Sequence, residues 1–276
     1  MHKESFLLLY QCLALMSFLY ICIMKLTFLG TGTSQGIPVL TCKCEVCLSD
    51  DFRDKRLRTS ALISTESTTI VIDAGPDFRA QMLKADVQKL DAVFLTHAHH
   101  DHVSGMDDVR AYNYKQKMPV SVYGNHECLS HVSRYYDYAF EEDKYPGVPE
   151  FDLKELDKQP VTIGDIQILP IPVLHGKLPI LGYRFGPLAY ITDASYISSS
   201  SLQLLEGVEV LVINALRHKE HHSHFNFQQA LDIIQIIHPK NSFLTHLSHM
   251  AETHIEIVDS MPRGVTPAYD GLSIEV

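Results

Sequence analysis

Thr96-His97-Ala98-His99-His100-Asp101-His102 follows directly on the apolar run Ala92-Val93-Phe94-Leu95. Four imidazoles and a carboxylate packed at the exit of a buried-strand pattern have few uses other than holding metal. In an extended segment His97 and His99 project to the same side, because side chains alternate with a period of two. A turn into a helix near Val103 then aims Asp101 and His102 at a neighbouring point. The two pairs define two metal positions a few ångströms apart, the arrangement hydrolases use to clamp a displacement. A His-rich surface loop or a tag is the competing reading, and neither explains a mid-chain position behind a strand.

Working outward, three further positions repeat this placement. His175 ends an apolar stretch and precedes Gly176, Asp193 ends Leu188-Ala189-Tyr190-Ile191-Thr192, and His246 ends Phe243-Leu244-Thr245. Each puts one metal-capable side chain at a strand end, where loops collect functional groups. Any one of them alone reads as a hydrogen-bonded structural residue; together with the His97–His102 cluster they read as ligands.

Strand-like runs are predicted at Lys25–Leu29, Ala61–Ile63, Thr69–Ile72, Ala92–Leu95, Val120–Tyr123, Ile166–Val173, Leu181–Phe185, Leu188–Ile191, Glu209–Ile213 and Ser242–Leu244. Helical patterns fall between them at Asp77–Lys84, Val103–Lys115, Glu127–Tyr138, Ser199–Leu205, Phe227–Ile237 and Ala251–Val258. Strands mixed with helices in both halves predict an α/β layered fold. The acidic stretch Glu141–Gln159, with Pro146 and Pro149, reads as a connecting loop that overhangs the site. The chain shows no internal repeat.

Composition narrows the function classes. Of sixteen histidines, eleven lie between Ala92 and Ser104 or between Arg217 and Ala251, which points to sites and not to scattered surface use. A formal charge of −10 argues against an extended nucleic-acid surface, which would show as clustered Lys and Arg. It leaves room for a small anionic substrate, since bound cations dominate the field of a metal site. Phe6 to Met24 is nearly all apolar and about long enough to span a bilayer. Residues 1–24 are therefore read as a leader or an over-extended start, with residues 25–276 as a single metallo-hydrolase domain. A cytoplasmic location is expected, the alternative being an anchor through residues 6–24.

Cys42-Lys43-Cys44-Glu45-Val46-Cys47 places three thiols at a spacing suited to one tetrahedral structural zinc. A disulfide would leave one thiol unpaired and strain its neighbours. Thiols kept as ligands also suit a reducing compartment. Cys12, Cys22 and Cys128 read as ordinary structural residues. Gly30-x-Gly32 lacks the rest of a nucleotide-binding fingerprint and reads as a tight turn near the site, with backbone N–H groups to offer.

The pattern His97-x-His99-x-Asp101-His102 followed by His175, Asp193 and His246 resembles the metallo-β-lactamase superfamily. Gly30-Thr31-Gly32-Thr33-Ser34-Gln35-Gly36-Ile37-Pro38, Ser104-Gly105-Met106-Asp107-Asp108-Val109-Arg110 and Ala268-Tyr269-Asp270-Gly271 resemble the branch of the phosphoribosyl cyclic phosphate phosphodiesterases. The resemblance runs from Met24 to Val276. It implies a four-layer αββα sandwich. It implies that His97, His99 and His175 hold a first divalent cation, that Asp101, His102 and His246 hold a second, and that Asp193 bridges them. Zinc or manganese suits that donor set. The branch completes its structural zinc with a histidine at the position of His249, and places an acid histidine at the position of His224; His221 is a weaker candidate for that acid. His100 stands at an x position and is read as a non-ligand, while His126, His131, His238 and His254 are read as ordinary surface or packing residues.

The reaction so implied is metal-assisted hydrolysis of a small phosphodiester, with a hydroxide between the cations attacking phosphorus and His224 protonating the leaving oxygen. Catalytic roles therefore fall on His224 and Asp101. A homodimer is compatible with this. Three rivals share parts of the pattern. A tRNA 3′-processing endonuclease would need a basic or Gly-rich arm, which is not evident; a lactam or thioester hydrolase would use the Asp101 or His246 position differently; and an accessory metal protein similar to the pyrroloquinoline quinone biosynthesis factor also carries a CxCxxC loop.

Overall fold

The computed structural model describes residues 23–276. Cys12, Cys22 and all but the last two residues of the apolar leader lie outside the described residues. No helix among the described residues is long and apolar enough to cross a membrane.

Two seven-stranded sheets face each other. The first runs in the order β14 (Ser273–Glu275), β1 (Lys25–Gly30), β2 (Ser60–Ser64), β3 (Thr69–Ile72), β4 (Ala92–Phe94), β5 (Val120–Gly124), β6 (Phe151–Glu155). The second runs β13 (Val265–Pro267), β12 (Asn241–Thr245), β11 (Val210–Asn214), β10 (Leu188–Ile191), β9 (Leu178–Phe185), β8 (Ile166–His175), β7 (Val161–Ile163). Each sheet is half antiparallel and half parallel: pairing turns parallel at β3–β4–β5–β6 in one and at β10–β11–β12–β13 in the other. Continuous apolar runs such as Ile70-Val71-Ile72 and Val210-Leu211-Val212-Ile213 suit strands covered on both faces.

The helices, in chain order, are α1 (Glu45–Leu48), α2 (Phe78–Lys84), α3 (His100–Val103), α4 (Arg110–Gln116), α5 (His126–Tyr135), α6 (Ser199–Gln203), α7 (Phe227–Ile237) and α8 (His254–Ser260). Three apolar clusters separate four layers. Phe28, Ile70, Phe94, Tyr183, Tyr190 and Val212 fill the space between the sheets. Phe78, Val93, Met106, Val122 and Val132 join the first sheet to α2 and α5. Ile191, Ile213, Phe227, Ala230 and Ile257 join the second sheet to α7 and α8. The result is the expected αββα sandwich. Capping signals in the sequence are used as written: Asn226 and Gln229 form a reciprocal box at the start of α7.

Three expectations need correction. The stretch Glu141–Gln159 is not all loop, because Phe151–Glu155 forms β6 at the sheet edge. Its acidic and basic residues alternate with Phe151 and Leu153, so the charges masked a half-buried strand. The helix expected over Val103–Lys115 is broken into α3, a 3₁₀ turn at Met106–Val109, and α4. The cause is Gly105, which approaches so near the Gly75 carbonyl that an added Cβ would stand 2.0 Å from it. Finally, two of the N–H groups expected to be on offer after β1 are already taken. Gly32 donates to the Leu57 carbonyl and Thr33 to that of Leu247, closing the turn onto the rest of the fold.

Candidate metal centre

The cluster sits beyond the ends of β4, β10 and β12, which lie in the parallel halves of the two sheets, and of β8, which is antiparallel to its neighbours. Tyr183 pins the end of β4 by donating its hydroxyl hydrogen to the Leu95 carbonyl, and Leu181 N donates to the Thr96 carbonyl at 3.0 Å. The chain then leaves the sheet through His97 and His99 and enters α3 at His100. That helix is pressed against the exit of β3: Ala74 N donates to the His102 carbonyl at 2.7 Å. Gly75 permits the contact, since a Cβ there would fall 1.9 Å from the Asp101 carbonyl oxygen.

Side chains from four strand ends meet here. Ligand atoms of His97, His99 and His175 lie within 4.8 Å of one another, as do those of Asp101, His102, Asp193 and His246. Asp193 stands between the two groups. Its Oδ2 lies 3.2 Å from His246 Nε2 and 4.0 Å from His97 Nε2, and its Oδ1 lies 3.5 Å from His102 Nε2. Asp193 and His246 have left-handed backbones, with φ of 59° and 57°. Such conformations cost on the order of 1–3 kcal/mol each and persist where surrounding structure enforces them, commonly at functional sites.

The electrostatics call for positive charge. Burial works to lower the pKa of His102, but Asp193, Asp101 and Asp73 outweigh it and hold that imidazole well above its ordinary value. Burial likewise opposes ionisation of Asp193, and His246 and His102 overcome it, leaving the carboxylate ionised. His97 and His99 are pushed down, first by burial and then by neighbouring imidazoles, which favours the neutral form that ligates metal. Several buried ring nitrogens of these residues have no hydrogen bond, among them His102 Nε2 and both ring nitrogens of His246. Buried polar atoms are seldom left so. Orphaned imidazoles beside ionised carboxylates fit divalent cations.

Supporting contacts orient the rings. Asp73, fully buried and itself left-handed at φ 61°, takes His102 Nδ1 at 2.7 Å and accepts from Thr96 N and Oγ1. His175 Nδ1 lies 2.7 Å from the Ser223 carbonyl oxygen. In each ring one nitrogen is occupied and the other turned to the cluster. Asp73 was missed in the sequence; the sign of it was Asp-Ala-Gly directly after an apolar strand.

His224 reaches the same place from the loop before α7. Its Nδ1 is 3.9 Å from Asp193 Oδ2, and its ring centroid lies 4.5 Å from that of His175 and 4.7 Å from that of His246. His175, Asp193 and His224 also gather close enough to share an ion, so proximity alone leaves His224 between ligand and acid. Its pKa is pushed down to about 3, by burial foremost and then by His246. His221 lies farther out, 5.2 Å from His224. His100 joins no ligand group.

A second cluster brings Cys42, Cys44, Cys47 and His249 within 4.8 Å of one another. His249 Nδ1 stands 3.2 Å from Cys42 Sγ and 3.5 Å from Cys44 Sγ, while Val39 N donates to Cys47 Sγ at 3.3 Å. The described cysteines are all free thiols. Hydrogen bonds from Cys44 lower Cys42, whereas burial pushes Cys47 up to about 11. His246 and His249 share one short segment, held at both ends by a buried charged network. Leu247 N donates to the Thr31 carbonyl, whose hydroxyl bonds Asp270 and Arg56; His254 N donates to Asp54.

Comparison with known proteins agrees with this geometry. A family model described as a beta-lactamase superfamily domain matches residues 68–247. The crystal structure of a new diphosphatase from the PhnP family superposes with a TM-score of 0.87 at 35% identity, covering 92% of this chain and 97% of that one. Zinc-bound PqqB from Methylobacterium extorquens shares the fold, at a TM-score of 0.76 and 18% identity over 91% of this chain and all of that one. A Porphyromonas gingivalis protein named octanoyltransferase is 42% identical over 252 residues, 90% of this chain but 51% of that protein. The chain spans about half the length of the curated relatives it matches. It belongs to the metallo-β-lactamase superfamily, in its PhnP-like branch.

Proposed function

We propose that the chain is a dinuclear metal-dependent phosphodiesterase acting on a small phosphodiester, of cyclic ribose type. The observation that carries this is the convergence of seven metal-capable side chains, with orphaned imidazole nitrogens, in a chain 35% identical to a diphosphatase over nearly its whole length. His97, His99 and His175 would hold one cation, Asp101, His102 and His246 the other, with Asp193 shared. When bound, the two ions supply an acidified water and offset charge on the phosphoryl oxygens. The Cys42, Cys44, Cys47 and His249 set would hold a structural zinc, its role being to fix the segment that carries His246.

The chain's own groups do the rest. Asp193 fixes the shared centre from a strained backbone. His224 stands at the edge and acts as the general acid for the leaving oxygen. Burial and His246 disfavour the charged imidazole, and a phosphodiester anion beside it would favour the charged form that donates the proton. Burial also keeps bulk water from taking the proton first.

The test is turnover of bis(p-nitrophenyl) phosphate and of 2′,3′-cyclic nucleotides by the metal-loaded protein, with octanoyl thioester as control. Phosphodiester hydrolysis without thioester hydrolysis is expected. The reverse outcome would replace this reading with acyl chemistry. His224→Ala should lower turnover of cyclic nucleotides about 10²–10⁴-fold with metal content unchanged. Equal turnover of a poor-leaving-group substrate by that variant would remove His224 from the mechanism, and loss of metal would make it a ligand.

A further inference from the structure

We infer that the cavity between the cluster and α5 is a stacking subsite for the planar ring of a nucleoside carried by the phosphodiester, an inference that rests on the phosphodiesterase reading above. The cavity, about 400 Å³, is lined by His97, His99 and Asp101 on one side, so a phosphoryl group at the cluster has an arm reaching into it. The far wall is aromatic, its rings tilted against one another. Tyr135 and His131, from one face of α5, and His100, at the head of α3, converge on it. The His100 and Tyr135 rings lie 4.8 Å apart and those of His131 and Tyr135 6.1 Å apart. Tyr135 is 43% exposed, large for a ring in a walled cavity. Leu178 and Pro179 of the β8–β9 hairpin close the opposite side.

The walls are preformed. Asn125 caps α5 through Cys128 N and donates Nδ2 to the Pro179 carbonyl at 3.2 Å, tying one wall to the other. Tyr136, next to Tyr135, donates its hydroxyl to the Val103 carbonyl at 2.8 Å and fixes the end of the helix against α3.

Charge decides what the cavity takes. Among the described residues neither Lys nor Arg lines it, so its walls give a second phosphate no cationic partner. An apolar, aromatic-walled space with Glu127 and Asn125 at its side suits a neutral flat ring and accepts hydrogen bonds from ribose hydroxyls or a ring amine. A bare ribose phosphate would leave most of that volume to water. Stacking of a base on an aromatic ring is sequence-tolerant, so the site selects for a base without choosing among bases.

The experiment compares adenosine 2′,3′-cyclic phosphate with methyl ribofuranoside 2,3-cyclic phosphate, which lacks the base. The wild-type protein is expected to favour the adenosine substrate by about tenfold or more in kcat/KM, the scale of one base–aromatic contact. Tyr135→Ala and His131→Ala should each raise KM for the adenosine substrate several-fold to tenfold and leave the methyl riboside unchanged, while Tyr135→Phe behaves as wild type. Equal loss on both substrates, or no loss on either, overturns the subsite. Equilibrium binding of adenosine alone separates the two readings. Binding that Tyr135→Ala weakens, with no hydrolysis of either diester, supports the subsite and refutes the phosphodiesterase. Equal hydrolysis of both diesters without adenosine binding does the opposite.

Discussion

Asp73 shows how much of the site depends on a residue outside the proposed ligand set. Its carboxylate takes His102 Nδ1 and the Thr96 backbone and hydroxyl, which leaves His102 Nε2 turned to the cluster. Burial raises its pKa against the pull of His102, so the group is held in a contested state that only these partners resolve. Asp73→Asn keeps the shape and removes the charge. It should weaken cation binding at the Asp101–His102–His246 position about 10–100-fold, the usual effect of losing such a partner. Titration with a competing chelator, with circular dichroism to verify the fold, measures it; unchanged affinity would mean that His102 is oriented by packing alone. The proposed ligand residues were legible in sequence because they cluster or stand just beyond apolar runs. Asp73 also ends one, but a single Asp before Ala-Gly looks like any strand terminator. His131 and Tyr135 were not legible as site residues, since helical periodicity says which face is exposed and not what lies across from it.

Elements explain the second cluster. The sequence places three thiols within one short loop, and the fold brings His249 to them from the far end of the chain. That loop and the His246–His249 segment have little core of their own beyond Ile37, Val46 and Cys47. The zinc proposed there would cross-link both. Cys44→Ser should remove one equivalent of zinc and lower the melting temperature by several degrees, with a smaller fall in activity than any ligand of the main cluster. Full zinc content in the variant would rule out the Cys-His site. Strand and helix positions were readable from apolar periodicity to within a few residues at most elements. The failures share one cause: long-range contacts overrode local pattern. Gly105 breaks a helix because Gly75 lies against it, and β6 is a strand because β5 pairs with it.

At the scale of the molecule, two similarly built sheets face each other, and the metal-capable residues gather at the ends of β4, β8, β10 and β12. No neighbouring stretch of sequence could do this alone; His97 and His246 lie far apart in the chain and meet only because both sheets pack through Phe94, Tyr183 and Tyr190. The layered α/β class followed from alternating strands and helices, and the four-layer arrangement came through resemblance and not through pattern. The central proposal is that Asp193 and its neighbours hold a pair of cations, beside a separate zinc at Cys42, Cys44, Cys47 and His249. Metal analysis of the purified wild-type protein beside Asp193→Ala tests it most directly. The account predicts about three equivalents in the wild type and the loss of at least one from the main cluster in the variant, with the Cys42-bound zinc retained. The same metal content in both proteins would contradict it.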